Sequence, residues 1–344
     1  MSTPLISRRD FFLMGGGAVG GGALAAYYGL TRPPITPAPA ENLPRYIDGG
    51  HPFPILRPPY LQENVQLAAF LLAADGARLT ALCDQFLNAP APEQLKFTPL
   101  LNSIILTYAD MQISSLDERD RRVGKMNETE VGFWLLTLVS RRVGDVWIPD
   151  HLAWFMPYLF VDNAYAIAAG REVYGFNKMG AWFEKAGEIK RPFIQMSVLG
   201  FKQFAPDAVA QVEPLLSIHA ADGEAGKAWE SWDEAKADLQ NSTGLGDLTR
   251  LLNDNIPLVF LKQFRDAADS SAACYQSLIE APMEVGAFRG GGWLPTGGVL
   301  TFNSLESHPV AESLGIVLEK GSVGIQTAVW MQFDFVLKAG AVIL

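Results

Sequence analysis

The sequence predicts a mainly β fold with inserted helices. Several apolar segments have the length of a strand, and in residues 327–336 the side chains alternate between two faces with a period of two. Strand and helix signals do not alternate regularly, as they would in a doubly wound sheet, and no segment repeats at a fixed period. We therefore expect an antiparallel sheet that is closed or partly closed.

The elements follow from these patterns in chain order. An apolar run at 65–74 ends at the turn residues Asp75-Gly76, and residues 77–87 have helical spacing. Residues 117–128 mix charges of both signs, which is typical of a solvated loop or rim. Residues 223–253 indicate a helical insertion in the β framework. The remaining strand predictions are 100–108, 131–139, 154–161, 193–204, 259–263, 273–285, 296–302 and 327–336.

Composition favours a folded, acidic protein. The chain has 344 residues, of which 49% are hydrophobic and 19% charged, enough apolar material for a substantial core. Its formal net charge of −10 repels phosphate backbones, so nucleic acid is not an expected partner.

The metal-ligating residue types are few and dispersed. Cys83 and Cys274 are far apart in sequence, so they either form a single disulfide or remain thiols. The four histidines are scattered as well. We expect no metal site and no cofactor.

The first forty residues resemble an export signal. Arg8-Arg9 precede Phe11-Phe12, a glycine-rich apolar run covers 13–26, and residues 38–40 read APA, a small-x-small cleavage site. This order is similar to that of a twin-arginine signal, so the twin-arginine export machinery is an expected partner and the periplasm the expected location. Residues 1–40 would be the signal and linker, and 41–344 the working domain. An uncleaved signal, tethering the protein to the membrane, is the alternative.

One lysine, Lys178, has apolar residues close to it in sequence. Lys178 follows Phe176 and Asn177 and precedes Met179. Burial disfavours the charged form of an amine, and a neutral amine is a nucleophile toward ketones. The competing interpretation is an ordinary lysine whose stem packs on Phe176 while its amine reaches solvent.

The segment around this lysine resembles the acetoacetate decarboxylase family. Residues 162–172 read DNAYAIAAGRE, similar to the family pattern Asp-Asn-x-x-Ala-Ile-Ala-x-Gly-Arg-Glu, after which the family has an aromatic residue, Pro, Lys and Lys. The resemblance places Lys178 at the Schiff-base lysine and Glu130 near the acidic active-site residue. It implies an acetoacetate decarboxylase-like fold, a closed or cone-shaped antiparallel β-barrel or sheet, in which Arg171, Glu172, Phe176 and Met179 shape the site. Arg171 and Glu172 could equally form a structural pair, and Glu130 could be a surface carboxylate.

The resemblance extends over about residues 60–340. Residues 257–262, 292–298 and 308–310 are similar to further family segments. Two positions depart from the pattern: Asn177 replaces the proline before the lysine, and Met179 replaces the second lysine. The second lysine would favour a neutral amine by like-charge repulsion, so here burial alone has to do so.

These observations predict an exported, cofactor-free Schiff-base lyase that acts on a small oxo acid through Lys178, with Glu130 as the proton-transferring residue. Decarboxylation, aldol cleavage and dehydration all need only an iminium ion and a proton shuttle, so the reaction is left open. The alternative is a periplasmic binder that holds a small molecule in the same β cavity without turnover. The sequence leaves homo-oligomer formation open.

Overall fold

The computed structural model describes residues 43–47, 55–223, 226–243, 256–325 and 327–343, and it confirms a mainly β fold. The strands in these residues are β1 (Tyr60–Ala73), β2 (Leu95–Pro99), β3 (Ser103–Ser115), β4 (Met126–Val143), β5 (Val146–Val161), β6 (Lys178–Ala186), β7 (Phe193–Gly200), β8 (Gln211–His219), β9 (Ala228–Trp229), β10 (Leu258–Arg265), β11 (Ala273–Ala281), β12 (Met283–Trp293), β13 (Val299–Phe302), β14 (Ser322–Gly324), β15 (Thr327–Leu337) and β16 (Ala341–Ile343). Over the same residues the helices are α1 (Gly76–Cys83), α2 (Ala164–Ala169), α3 (Trp232–Thr243) and α4 (Val310–Leu314). This part of the chain also contains π-helical turns at Asp84–Asn88 and Gly170–Tyr174 and a 3-10 turn at Arg121–Val123.

The strands form one large mixed sheet that does not close. Its path runs β14-β13-β8-β7-β6-β5-β4-β3-β1-β15-β12-β9, and within the described residues β14 and β9 are its two ends. The expectation of a purely antiparallel sheet fails at β5, which pairs parallel with both β6 and β10. The parallel β5–β6 pair is possible because α2 and a π-helical turn carry the chain back between the two strands.

The sheet buries a hydrophobic core on each face. Because side chains alternate along a strand, each long strand contributes to both cores. In β4, Val131, Phe133 and Leu135 pack into the first core, which contains Phe70 and Leu106. Trp134 and Met126 point the other way, toward a second core that contains Tyr174, Phe176 and Phe260. The second core surrounds the candidate site.

The charge-rich segment 117–128 is only partly the solvated loop that its composition predicts. The 3-10 turn lies in it and is exposed, but β4 already begins at Met126, and Glu128 is buried in it. Asp120 is also buried, because its carboxylate accepts hydrogen bonds from the backbone N–H (2.7 Å) and the guanidinium (2.6 Å) of Arg57. Local composition missed both burials because the charged partners are distant in sequence: Arg57 lies 63 residues before Asp120, and Lys178 lies 50 residues after Glu128.

The remaining predictions have mixed outcomes. Cys83 is a buried free thiol and Cys274 an exposed one, so they form no disulfide. In the described part of the chain, no helix is long and apolar enough to span a bilayer. The predicted export signal and cleavage site lie outside the described residues, as does part of the predicted insertion at 223–253, whose described portion contains β9 and α3.

Candidate active site

Two carboxyl groups project from one face of β4. Glu128 and Glu130 are two residues apart in a strand, so their side chains lie on the same side of the sheet, the side of the second core. Glu128 is fully buried and Glu130 partly buried. Burying carboxyl groups is costly unless they are paired or protonated, so both must be compensated locally.

The turn before β6 positions Lys178 next to the face of β4 that carries the two carboxyl groups. Asn163 caps α2, because its side-chain oxygen accepts hydrogen bonds from the backbone N–H groups of Tyr165 (2.9 Å) and Ala166 (3.2 Å). The helix continues into the π-helical turn, which ends at Gly175 in the left-handed region (φ 87°). A Cβ at Gly175 would lie 2.4 Å from the Cα of Lys262, so only glycine fits there. The segment that resembles the family signature therefore forms the crossover that carries the chain from β5 to the start of β6.

Lys178 and Glu128 form a buried ion pair. Nζ of Lys178 donates a hydrogen bond to Oε1 of Glu128 at 2.8 Å, with side-chain exposures of 9% and 0%. The amine also lies 5.4 Å from the centroid of the Phe176 ring. The other oxygen of Glu128, Oε2, is buried and accepts no hydrogen bond from the described residues. The sequence-based hypothesis that burial alone acts on the amine is therefore incomplete, because a carboxylate faces it directly.

Glu130 holds its proton to an unusually high pH. Burial, the negative charge of Glu128 and a hydrogen bond with the Glu128 carboxyl raise the pKa of Glu130 to about 8, against the opposing effect of Lys178. At neutral pH the site thus contains the carboxylic acid of Glu130 beside the Glu128–Lys178 pair. These are the components of a proton shuttle.

A small apolar cavity of about 70 Å³ lies over these groups. Lys178, Glu128 and Glu130 line it together with Gly170, whose missing side chain leaves room for the lysine stem: a Cβ there would lie 3.0 Å from Cδ of Lys178. The other walls are mainly apolar and aromatic, formed by Leu56, Tyr60, Gln62, Met111, Ile113, Met126, Trp134, Met156, Leu159, Ala166, Ala169, Tyr174, Phe176, Leu258, Phe335 and Leu337. A cavity of this size admits a molecule of a few heavy atoms.

The structure brings three of the six predicted site residues together. Lys178, Glu130 and Phe176 line the cavity. Arg171 lines two neighbouring surface pockets instead, beside Gln263. The structure therefore does not bring Arg171 to the amine.

Glu172 and Met179 also lie outside the cavity lining. Strand alternation turns Met179 away from Lys178 and against the first core, so it does not provide the apolar surface that its sequence position suggests. Glu172 affects one wall residue electrostatically: burial and the charges of Asp120 and Glu172 raise the pKa of Tyr60.

Sequence reasoning missed Glu128, the residue that contacts the amine. Extending the alternation of β4 backward from Trp134 would have placed Glu130, Glu128 and Met126 on one face. The departure at Asn177 has a structural explanation: its side-chain amide donates to the carbonyl of Pro157 at 2.8 Å and so ties the turn to β5. In the described residues, no group of three or more His, Cys, Asp or Glu side chains is placed to hold a metal ion.

Among the comparisons with known proteins, the one with solved structures identifies the fold. No protein-family model matches the chain, and no curated protein matches it in sequence. Among solved structures, an acetoacetate decarboxylase from Legionella pneumophila superposes with a TM-score of 0.54 and 15% identity, covering 92% of this chain and 98% of that one.

Two further solved structures have a similar fold. The enduracididine biosynthesis enzyme MppR gives a TM-score of 0.55 and 12% identity, covering 90% of this chain and 98% of that one. An acetoacetate decarboxylase-like enzyme from Sphingomonas wittichii RW1 gives 0.50 and 13% identity, with coverages of 84% and 94%. The chain therefore has an acetoacetate decarboxylase-like fold.

Proposed function

We propose that this chain is an imine-forming carbon–carbon lyase of the acetoacetate decarboxylase type, in which Lys178 condenses with the carbonyl group of a small substrate. The observation that carries the proposal is the buried amine of Lys178, which meets two carboxyl groups of β4 inside an apolar cavity. Imine chemistry needs an amine, a proton acceptor, a proton donor and a site that excludes water. The cavity contains the amine and both carboxyl groups, and its walls are mainly apolar.

The carboxyl groups balance the proton transfers. Glu128 accepts a proton from the Lys178 ammonium, and the free amine adds to the carbonyl carbon. Protonated Glu130 gives its proton to the carbonyl oxygen and recovers one from the nitrogen. Glu128 then returns its proton to the hydroxyl group, which leaves as water. The products are an iminium ion paired with the Glu128 carboxylate, one water molecule and protonated Glu130.

The iminium ion supports bond cleavage at the neighbouring carbon. Electrons from a breaking C–C or C–H bond move toward the iminium nitrogen and give an enamine. Carbon dioxide or a carbonyl compound leaves when a C–C bond breaks, and the Glu128 carboxylate accepts the proton of a C–H bond or of the aldol hydroxyl group. Glu130 then gives its proton to the enamine carbon or to a departing hydroxyl group, and water releases the product from the nitrogen. Solvent restores the Glu130 proton after decarboxylation, and in the other reactions the proton held by Glu128 restores it. Decarboxylation, aldol cleavage and dehydration all use this step. MppR has been crystallised with the condensation product of pyruvate and imidazole 4-carboxaldehyde, which supports carbonyl chemistry as the common theme and oxo acids as the first substrate class to test.

A non-catalytic binder is the second candidate, and the ion pair itself favours it. Glu128 at 2.8 Å stabilises the ammonium form of Lys178, which is not nucleophilic. In a binder the pair would stay closed and the ligand would occupy the apolar space beside it.

Reductive trapping separates the two candidates. The full chain is incubated with acetone, pyruvate or acetoacetate and sodium borohydride, and the adduct is located by peptide mass spectrometry. An adduct on Lys178, absent in Lys178→Met and retained in Lys185→Met, supports the lyase. Lys185 is the matched control because it lies on the same strand, is half-exposed and pairs with Asp110. Saturable ligand binding without any adduct on Lys178 overturns the lyase in favour of the binder.

We also propose that the protein is exported to the periplasm by the twin-arginine machinery. The support is the order of arginines, aromatic residues, apolar run and small residues within residues 1–40.

A further inference from the structure

The neutral side-chain donors on the cavity wall are already committed to protein acceptors. The hydroxyl group of Tyr60 donates to the carbonyl of Leu56, and that of Tyr174 donates to the carbonyl of Lys338 at 2.8 Å. The indole N–H of Trp134 donates to Oγ1 of Thr107 at 2.8 Å.

The side-chain amide of Gln62 also donates to protein acceptors. With its amide nitrogen oriented toward the backbone, it donates to the carbonyls of Tyr60 (2.9 Å) and Phe335 (3.1 Å). To accept a hydrogen bond from one of these side chains, a ligand group would have to displace the protein acceptor that the side chain now binds. That buried acceptor would then be left without a hydrogen bond, which is costly. The wall therefore offers an incoming carboxylate no ready hydrogen bond from these four side chains.

The charges of the site oppose a carboxylate as well. Lys178 is the one cationic side chain among the described residues that line the cavity. It already pairs with Glu128, whose second oxygen is buried in the same region. Arg57, the arginine closest in sequence to the wall residue Leu56, pairs with Asp120 at 2.6 Å.

Imine formation does not change this balance. The iminium ion carries one positive charge, as the ammonium did, and Glu128 compensates it. An additional substrate carboxylate would remain in an apolar space beside two carboxyl groups, and a buried charge without a counter-charge costs several kcal/mol.

We infer that the site selects uncharged carbonyl compounds, small aldehydes and ketones whose flanking groups are apolar or neutral, over ionised oxo acids. The inference rests on the proposed imine chemistry, and it replaces oxo acids, the class suggested by the comparison with MppR, by uncharged carbonyl compounds as the preferred substrates. It favours carbon–carbon cleavage or condensation of the aldol type over loss of carbon dioxide, because decarboxylation requires a carboxylate in the cavity.

The test compares pyruvate with pyruvamide, in which a neutral amide group of nearly the same size replaces the carboxylate. The full chain is titrated with each compound at pH 7 under borohydride, the adduct on Lys178 is measured by peptide mass spectrometry, and each yield is divided by that of free Nα-acetyllysine. The control variants are Lys178→Met and Lys185→Met.

We expect half-maximal labelling of Lys178 at a concentration of pyruvamide about 100-fold lower than that of pyruvate. Equal labelling, or a preference for pyruvate, overturns the selectivity but leaves the proposed imine chemistry in place. The absence of Lys178 labelling by both compounds overturns the imine proposal and this inference with it.

Discussion

Nζ of Lys178 lies 2.8 Å from Oε1 of Glu128, and this contact joins two strands, β6 and β4, that are separated by β5. Both side chains are buried. The pair therefore fixes the amine above the carboxyl groups and also carries a large desolvation cost of its own.

Removing either partner of this pair should destabilise the fold more than removing both. Lys178→Met or Glu128→Leu leaves one buried charge unpaired, and each should lower the free energy of unfolding by about 3–5 kcal/mol. The double variant replaces the pair by apolar groups of similar size and should recover most of the loss. Urea unfolding of the four proteins measures the coupling, and additive single effects would contradict the pairing.

The strand pattern could be predicted from the sequence because it is local. Alternation along 327–336 and the apolar runs at 131–139 and 154–161 lie in β15, β4 and β5. The parallel pairing of β5 could not be predicted, because it depends on where the chain returns after α2.

The site was predictable only in part, for the same reason. The family resemblance marks Lys178, but the carboxylate that meets it lies 50 residues earlier in a segment whose composition indicates a loop. Arg171 belongs to the motif and Met179 directly follows Lys178, yet the π-helical turn and strand alternation direct their side chains elsewhere.

The acid form of Glu130 should set the upper pH limit of the reaction. Burial and the neighbouring Glu128 raise the pKa of Glu130 to about 8, and Lys178 opposes the shift. We expect the rate of imine formation to fall as the pH rises above about 8, because the proton donor is lost. The Glu130→Gln variant should react more slowly at neutral pH and lose this decline. A wild-type profile that is flat through pH 8 to 9 would contradict the assignment.

The same pKa shift predicts how stability depends on pH. The folded chain keeps the Glu130 proton up to about pH 8, whereas the unfolded chain releases it near the ordinary value of 4.5. The free energy of unfolding contributed by this group should therefore be largest below pH 4.5 and decrease between pH 4.5 and 8. The difference between wild type and Glu130→Gln, measured by urea unfolding across this range, isolates the effect.

Gly170 should matter because the lysine stem occupies the space of its missing side chain. A Cβ at Gly170 would lie 3.0 Å from Cδ and 3.2 Å from Cε of Lys178. Gly170→Ala should displace the amine and slow borohydride trapping about 10-fold, since small misplacements of a reacting group are costly. Gly180→Ala is the control, because a Cβ there would lie at an ordinary contact distance of 3.7 Å from Cδ1 of Ile167. Equal trapping rates in the two variants would refute this role.

Export should depend on the arginine pair. Replacing both Arg8 and Arg9 by lysine should keep the protein in the cytoplasm of a bacterial host, whereas Arg32→Lys should not. Fractionation of the cells and N-terminal analysis of the exported protein, expected to begin at Glu41, measure both steps. Unchanged periplasmic yield of the double variant would argue against a twin-arginine signal.

The most direct test of the central claim is solvent deuterium exchange into acetone, because exchange requires an imine on Lys178 and a proton shuttle beside it. In D₂O at pH 7, the wild-type chain should catalyse incorporation of deuterium at the methyl groups, followed by NMR, and Lys185→Met should match it. Lys178→Met should fall to the background rate. Wild-type exchange no faster than that of Lys178→Met would contradict the account.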